Sequence, residues 1–302
     1  MFHSIKKELK KNWFLYVLIL PVIAYFLIFH YYPMYGATLA FKDYKIKLGI
    51  SGSPWVGFKH FKRFFTQYNF KLMLKNTLGI SLASLVFGFP VPIVFALLLN
   101  YVRSRKLKRT VQMAAYIPHF ISTVVICSMI TLFCSVNGGA FNFLRNAAGL
   151  ESMDFLGKPK LFKPIYIISG IWQTMGWNAI IYLSALSGVD PALHEAAIMD
   201  GANIYQRIWH IDFPSIIPTI VMLLILRMGA IMNVGFEKVF LLQNDLNYEA
   251  SEIISTYVYK VGLIDSQYSF STAVGLFNSV VNVILLVTAN TLSKKLLKES
   301  LW

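Results

Sequence analysis

Six runs of roughly 20 or more predominantly apolar residues set the first limit on this chain, because that is the length of helix needed to cross the hydrocarbon core of a bilayer. They cover about 13 to 32, 74 to 99, 112 to 134, 165 to 186, 215 to 235 and 271 to 292. Backbone N–H and C=O groups left unpaired in lipid are not tolerated, so each run is expected to be a transmembrane helix. Composition agrees, since 56% of the 302 residues are hydrophobic and only 14% are charged, with a mean hydropathy of +0.57. Those values lie far from a soluble domain. The expectation is an all-α, polytopic membrane protein: a basic segment over 1–12, then a single transmembrane domain over 13–302 with its core over 72–293.

The basic segment carries Lys6, Lys7, Lys10 and Lys11. The run that follows is too long for a signal peptide and no small-residue cleavage site follows it, so it reads as a retained anchor. An inside N-terminus puts residues 190–214 inside as well, because four spans lie between them. Lys and Arg divide evenly on that topology, 13 on each side. Density favours it: Arg103, Arg105, Lys106, Lys108 and Arg109 crowd one short inside loop. The net charge of +14 lies largely beside spans, where anionic headgroups attract it, and no basic stripe points to nucleic acid. Cys127 and Cys134 fall in the third run and suggest neither a disulfide framework nor a zinc site.

The polar interruption at 190–214, DPALHEAAIMDGANIYQRIWHIDFP, is the densest motif in the chain. Asp190 suits an N-cap and Pro191 the first helical position. Ala192, Ala196 and Ala197 keep one side of the helix slim. Gly201 permits a bend that a side chain would resist, a second helical turn follows through Trp209, and Pro214 ends the unit or starts the next helix. The reading is helix, hinge, helix, with Glu195 on the polar face.

This stretch resembles the EAA loop of binding-protein-dependent ABC importer permeases. Glu195-Ala196-Ala197, Gly201, Ile211 and Pro214 stand at the family's spacings, with Phe213 where the family has Leu. Asp200-Gly201-Ala202 resembles the carbohydrate-uptake branch. The Tyr-Pro-Met-Tyr-Gly of 32–36, the Phe-Lys-Asp-Tyr of 41–44 and VGFKHFKRFF at 56–65 resemble the first-permease subgroup for complex oligosaccharides, with interfacial anchoring of those aromatics as the competing reading. Asn76-Thr77-Leu78 is similar to the start of the family's transmembrane core.

The resemblance implies a type I ABC importer fold in which the loop is a cytoplasmic coupling helix docked on a separate ATPase. Glu195, Ala196, Ala197, Asp200, Gly201 and Pro214 are the residues it assigns to that coupling. It further implies a bacterial cell-membrane subunit with both termini cytoplasmic, a second and different permease, two ATPase copies, an external solute-binding protein and an oligosaccharide substrate. The chain contains no G-x-x-x-x-G-K-[ST] phosphate loop. ATP and Mg therefore belong to the partner ATPase, and no cofactor or metal is expected in this transport subunit.

Polar groups inside spans are costly, so their placement suggests a solute path. Thr174, Asn178 and Tyr182 recur every four residues, with Gln173 and Trp177 on the adjacent face and Trp172 beside them; Ser271, Gly275, Asn278 and Asn282 form a second stripe, and Asn233 with Glu237 a third group. Amides bond hydroxyls and aromatic rings cover the apolar face of a sugar. Trp172, Gln173, Asn178, Tyr182, Asn233, Asn278 and Asn282 are the pathway candidates; simple helix packing is the competing reading for each. Arg227, well inside a run, needs a partner or water, and Glu237, a residue of another helix or subunit, or an anionic substrate group could supply one.

The rival functions are a permease for another solute, an ATP-independent secondary transporter and an intramembrane enzyme. For the last, His119 and Ser122 could be named a dyad, but neither an orienting acid nor an oxyanion site accompanies them. His119 reads better as a structural residue with a satisfied hydrogen bond.

Overall fold

A computed structural model describes residues 11–296, 298, 300 and 301. Lys6, Lys7 and Lys10 of the basic segment lie outside the described residues. Those described are almost entirely helical. In chain order the principal helices are α1 Trp13–Phe26, α2 Phe70–Gly88, α3 Pro90–Asn100, α4 Arg105–Tyr116, α5 Thr123–Cys134, α6 Ala140–Ala147, α7 Pro159–Ser187, α8 Pro191–Met199, α9 Ile204–Arg207, α10 Phe213–Met228, α11 Phe236–Leu242 and α12 Tyr268–Leu296.

Among the described residues four continuous helical segments are long and apolar enough to cross a membrane: Trp13–Phe41, Phe70–Asn100, Ile204–Met228 and Tyr268–Lys295. A fifth is possible where α4 and its short continuation meet α5, but the two parts are bent by 99°. The straight span expected over 112 to 134 is therefore broken. Pro118 and an extended Ile121 interrupt it, and the Ser122 hydroxyl starts α5 afresh by accepting from the Val125 N–H at 3.4 Å. The expected span over 165 to 186 lies in α7, whose 29 residues reach about 43 Å at 1.5 Å each. It has the length, but Gln173, Asn178 and their ring-bearing neighbours lower its apolarity.

Two other boundaries move. The first apolar segment runs on to Phe41 instead of ending near 32, because a wide π-type turn over Leu27–Tyr31 precedes Pro33 and a tighter helix over Tyr35–Phe41 follows it. The fifth span begins at Ile204 instead of 215 and ends at Met228 instead of 235. A second wide turn, Ile208–Asp212, lets α9 flow into α10 with Pro214 near its start, where the missing N–H costs little. The connection over 135–164 contains α6. The Asn142 amide, almost fully buried, ties that loop by donating to the Ser135 and Met153 carbonyls and accepting from the Met153 N–H.

The chain divides into two compact units. One comprises residues 1–67 and 258–277. Its long first segment has no buried residue in its most apolar window, whereas the rest is knit by rings: Phe41 stacks on Trp55, and Phe64 packs against Phe270 and Phe277. The aromatics at 41 and 56–65 are thus packed together as well as suited to an interface.

The other unit comprises 68–257 and 278–302. Ile93, Ala96, Leu97, Ala179, Tyr182, Leu186 and Ile216 join α3, α7 and α10 in one core. A second core takes in Ile80, Cys127, Phe162, Val239 and Ile253. Both cysteines are buried and free.

Candidate functional site

Two regions of the larger unit carry the functional residues, and they are built differently. In the 190–214 stretch nearly every cap is local. The Asp190 carboxylate accepts from the Ala192 N–H at 2.9 Å with Pro191 at the first helical position. At the other end of α8, the Gly201 N–H donates to the Ile198 carbonyl and the Ala202 N–H to the Ala197 carbonyl. That pair of bonds is a Schellman cap. It requires the left-handed φ of +79° that Gly201 adopts. Asn203 then opens α9 through a reciprocal capping box, its N–H donating to Gln206 Oε1 at 2.8 Å while its Oδ1 accepts from the Gln206 N–H at 2.9 Å. Glu195, Ala196, Asp200, Gly201 and Pro214 are exposed and Ala197 half-buried. Met199 and Tyr205 are 87% and 81% exposed. Apolar side chains set around Glu195 make this a surface fit to be covered.

A polar cluster fastens the stretch to the helices beside it, and the sequence reading did not find it. Asp212, fully buried, accepts from the Tyr101 hydroxyl at 2.6 Å, and its other oxygen lies 3.3 Å from His194 Nε2. The Arg207 guanidinium sits 5.3 Å above the Tyr101 ring. Burial, and then the hydrogen bond to the Asp212 carboxylate, push the Tyr101 phenol well above its ordinary range. His194 belongs to α8, Tyr101 caps α3 and Asp212 precedes α10, so one buried carboxylate joins three elements. The available signal was Asp212 itself, a carboxylate entering an apolar run.

The second region is a cavity of about 610 Å³ between α2, α3, α7, α10 and α11, within the roughly 300–1,000 Å³ of small-molecule sites. Gln173, Asn178, Tyr182 and Asn233 of the expected pathway residues line it, with Thr174, Tyr166, Arg227, Glu237 and Lys238. The other three candidates do not. Trp172 is exposed on another face of α7. Asn282 is buried where it accepts from the Met232 N–H at 3.0 Å and donates to Asn233 Oδ1 at 3.1 Å. Asn278 reaches the Met232 carbonyl at 3.5 Å. Both bind the non-helical stretch after α10, and so position Asn233 on the cavity wall.

Arg227 has no ion pair or side-chain hydrogen bond among the described residues, so Glu237 is not the partner the sequence suggested. Lys238, missed by the sequence reading, is buried with its ammonium unbonded, 5.2 Å from the Tyr166 ring. Burial lowers its pKa to about 8. His119 stacks face to face on Trp177, with ring centroids 4.4 Å apart, instead of resting on a hydrogen bond. Ser122 is the α5 cap already described, so the two form no dyad. Among the described residues no group of three or more His, Cys, Asp or Glu side chains could hold a metal.

The family of binding-protein-dependent transport system inner membrane components matches residues 88–298. The polygalacturonan/rhamnogalacturonan transport system permease protein YteP of Bacillus subtilis (strain 168) is 49% identical over 289 residues, covering 96% of this chain and 90% of that protein. A crystal structure of a bacterial ABC transporter involved in the import of the acidic polysaccharide alginate contains a chain with a TM-score of 0.91 and 42% identity, covering 97% of this chain and 99% of that one. A crystal structure of a bacterial alginate ABC transporter in complex with alginate pentasaccharide-bound periplasmic protein gives a TM-score of 0.90 and 42% identity, over 98% of this chain and 99% of that one.

Proposed function

Because this chain belongs to the binding-protein-dependent transport system inner membrane components, a family of multi-pass membrane proteins, we propose that it is the permease subunit of an ATP-driven oligosaccharide importer. The names of its relatives support sugar as the cargo. The observation that carries the reading is the 190–214 unit: a self-capped helix, glycine turn and helix, exposed around Glu195 and fastened through Asp212 to the ends of two membrane helices.

On this reading the 190–214 unit faces the cytoplasm, as do both termini, and docks on one of two copies of a separate ATPase, which bind ATP and Mg. A second, different permease completes the pathway, and an external binding protein delivers the solute. Glu195 meets basic groups on the ATPase through charge-assisted bonds, while Ala196, Ala197 and Asp200 form the contact face. ATPase closure pushes the unit as a lever, and the buried Asp212 cluster passes that push to α3 and α10. The helices then tilt as rigid bodies and switch the side on which the cavity opens. Gln173, Asn178, Tyr182 and Asn233 offer amide and hydroxyl groups to the sugar. No bond of the solute is made or broken.

The test is co-purification of the chain with its ATPase and second permease, followed by ATP hydrolysis in liposomes with loaded binding protein outside. Glu195→Ala and Gly201→Asp should lose assembly or the stimulation of hydrolysis while the chain remains folded in the membrane. Unchanged assembly and stimulation in both would remove the lever from the account, and solute uptake without any ATPase would identify a secondary transporter.

A further inference from the structure

The cavity wall holds more positive charge than passage of a neutral sugar needs. Lys238 is 7% exposed, and its ammonium has no hydrogen-bond partner among the described residues. The Tyr166 ring face 5.2 Å away and the weak bond from Cys127 Sγ to the Lys238 carbonyl fix the residue without neutralising it. A buried cation without a counter-charge is normally selected against or paired. Arg227 enters the same cavity from α10, also without an ion pair among the described residues. Glu237 is the one carboxylate among the cavity-lining residues, and it is exposed. As the helical neighbour of Lys238 it points along a different direction. Two cations therefore face one space with a single, diverging carboxylate beside them.

We propose that Lys238 and Arg227 form a carboxylate-binding subsite, so that the cavity takes acidic oligosaccharides whose sugars carry uronic acid groups. This rests on the reading of the chain as an oligosaccharide permease and narrows it to a charged substrate class. The two side chains are complementary tools for that task. A guanidinium can grip a carboxylate with two parallel hydrogen bonds, and an ammonium acts as a compact point charge. Lys238 is the buried member and Arg227 the exposed one, so the ammonium acts where water is scarce and the guanidinium at the open side of the cavity. Gln173, Asn178 and Asn233 remain for the hydroxyls, so the site distinguishes charge from ring pattern by separate groups.

The experiment is equilibrium binding to the assembled importer, this chain with its partner permease and ATPases, held in lipid nanodiscs without binding protein. The probes are trigalacturonate and its fully methyl-esterified, neutral counterpart. Wild type should bind the acid at least about tenfold tighter, a difference of about 1.4 kcal/mol. Lys238→Met and Arg227→Gln should each bring the acid to within about twofold of the ester, while Lys238→Arg, which keeps the charge, should retain the preference. Equal binding of the two probes by wild type, or a preference that survives both neutral variants, overturns the subsite. So does loss of both probes in the neutral and the charge-keeping variants alike, since that marks a structural role. ATP-dependent uptake of any oligosaccharide by the same complex with its binding protein is scored separately. Uptake without acid preference sinks the subsite alone, whereas absence of uptake sinks the transport reading.

Discussion

The coupling stretch and α7, the helix that carries most of the cavity wall, each depend on a glycine, for opposite reasons. At Gly201 an added Cβ would meet nothing within 4 Å, so the requirement is the φ of +79°. At Gly176, buried in α7, the backbone is ordinary helix, but a Cβ would run into the Ala115 carbonyl of α4. One glycine buys a conformation and the other provides space. The bonds around them follow the same division. Within 190–206 the caps join residues at most five apart. The cavity wall depends on links such as Gln173 to the Ile121 carbonyl and Asn282 to Met232, 52 and 50 residues apart. A lever has to keep its shape while its surroundings move, and local capping suits that. A cavity has the shape of its helices' mutual placement, so it changes when they do.

Gly176→Val is the substitution that sharpens this contrast most. The added branches must displace backbone of α4, where overpacking costs typically 1–3 kcal/mol and occasionally more. The expected result is several-fold less detergent-extractable monodisperse protein and a lowered thermal midpoint, together with lost solute binding. Unchanged yield and midpoint would mean that α4 and α7 are free to separate, and the close-packed wall would have to be abandoned.

Tyr101→Phe comes next, because it removes one bond from the buried polar cluster that fastens the coupling stretch to α3 and α10. Hydrogen bonds to charged groups contribute about 1.5–3 kcal/mol, and buried Asp212 would keep His194 as its one close polar partner among the described residues. Stimulated ATP hydrolysis should fall more than basal hydrolysis, and combination with His194→Ala should be non-additive because both touch one carboxylate. Strict additivity across that double-mutant cycle would show that the three residues do not act as one fastening.

The same difference in construction explains what could be read from the residues alone. Local caps leave local signatures, so Asp190, Pro191 and Gly201 announced their roles in order along the chain. Periodicity announced the apolar segments, yet it could not show that Pro118 and Ile121 turn one of them through 99°, since the same residues also fit a kinked span. The polar stripe of α7 was legible because one helix carries it. Asn278 and Asn282 carry an equal stripe, but each turns an amide atom to the Met232 backbone, a placement set by a segment some 50 residues away. Lys238 was invisible because a lone Lys next to a Glu ordinarily reads as a solvated pair. Only the tertiary fold turns the two apart and buries the cation.

Asn203→Ala carries the smallest expected effect and tests how local the lever is. Asn203 and Gln206 are exposed and bond chiefly to each other. Replacing such an N-cap by Ala costs about 1 kcal/mol, and by Gly only a few tenths. If the unit is a self-contained lever, Asn203→Ala should fray α9 and weaken the response of the assembled ATPase to loaded binding protein by a modest factor, with the thermal midpoint of the transmembrane helices unmoved; Asn203→Gly should stay near wild type. A midpoint that falls as far as in Gly176→Val would show that the cap supports the membrane helices as well. The division between a locally built lever and a globally built cavity would then fail at its most exposed residue.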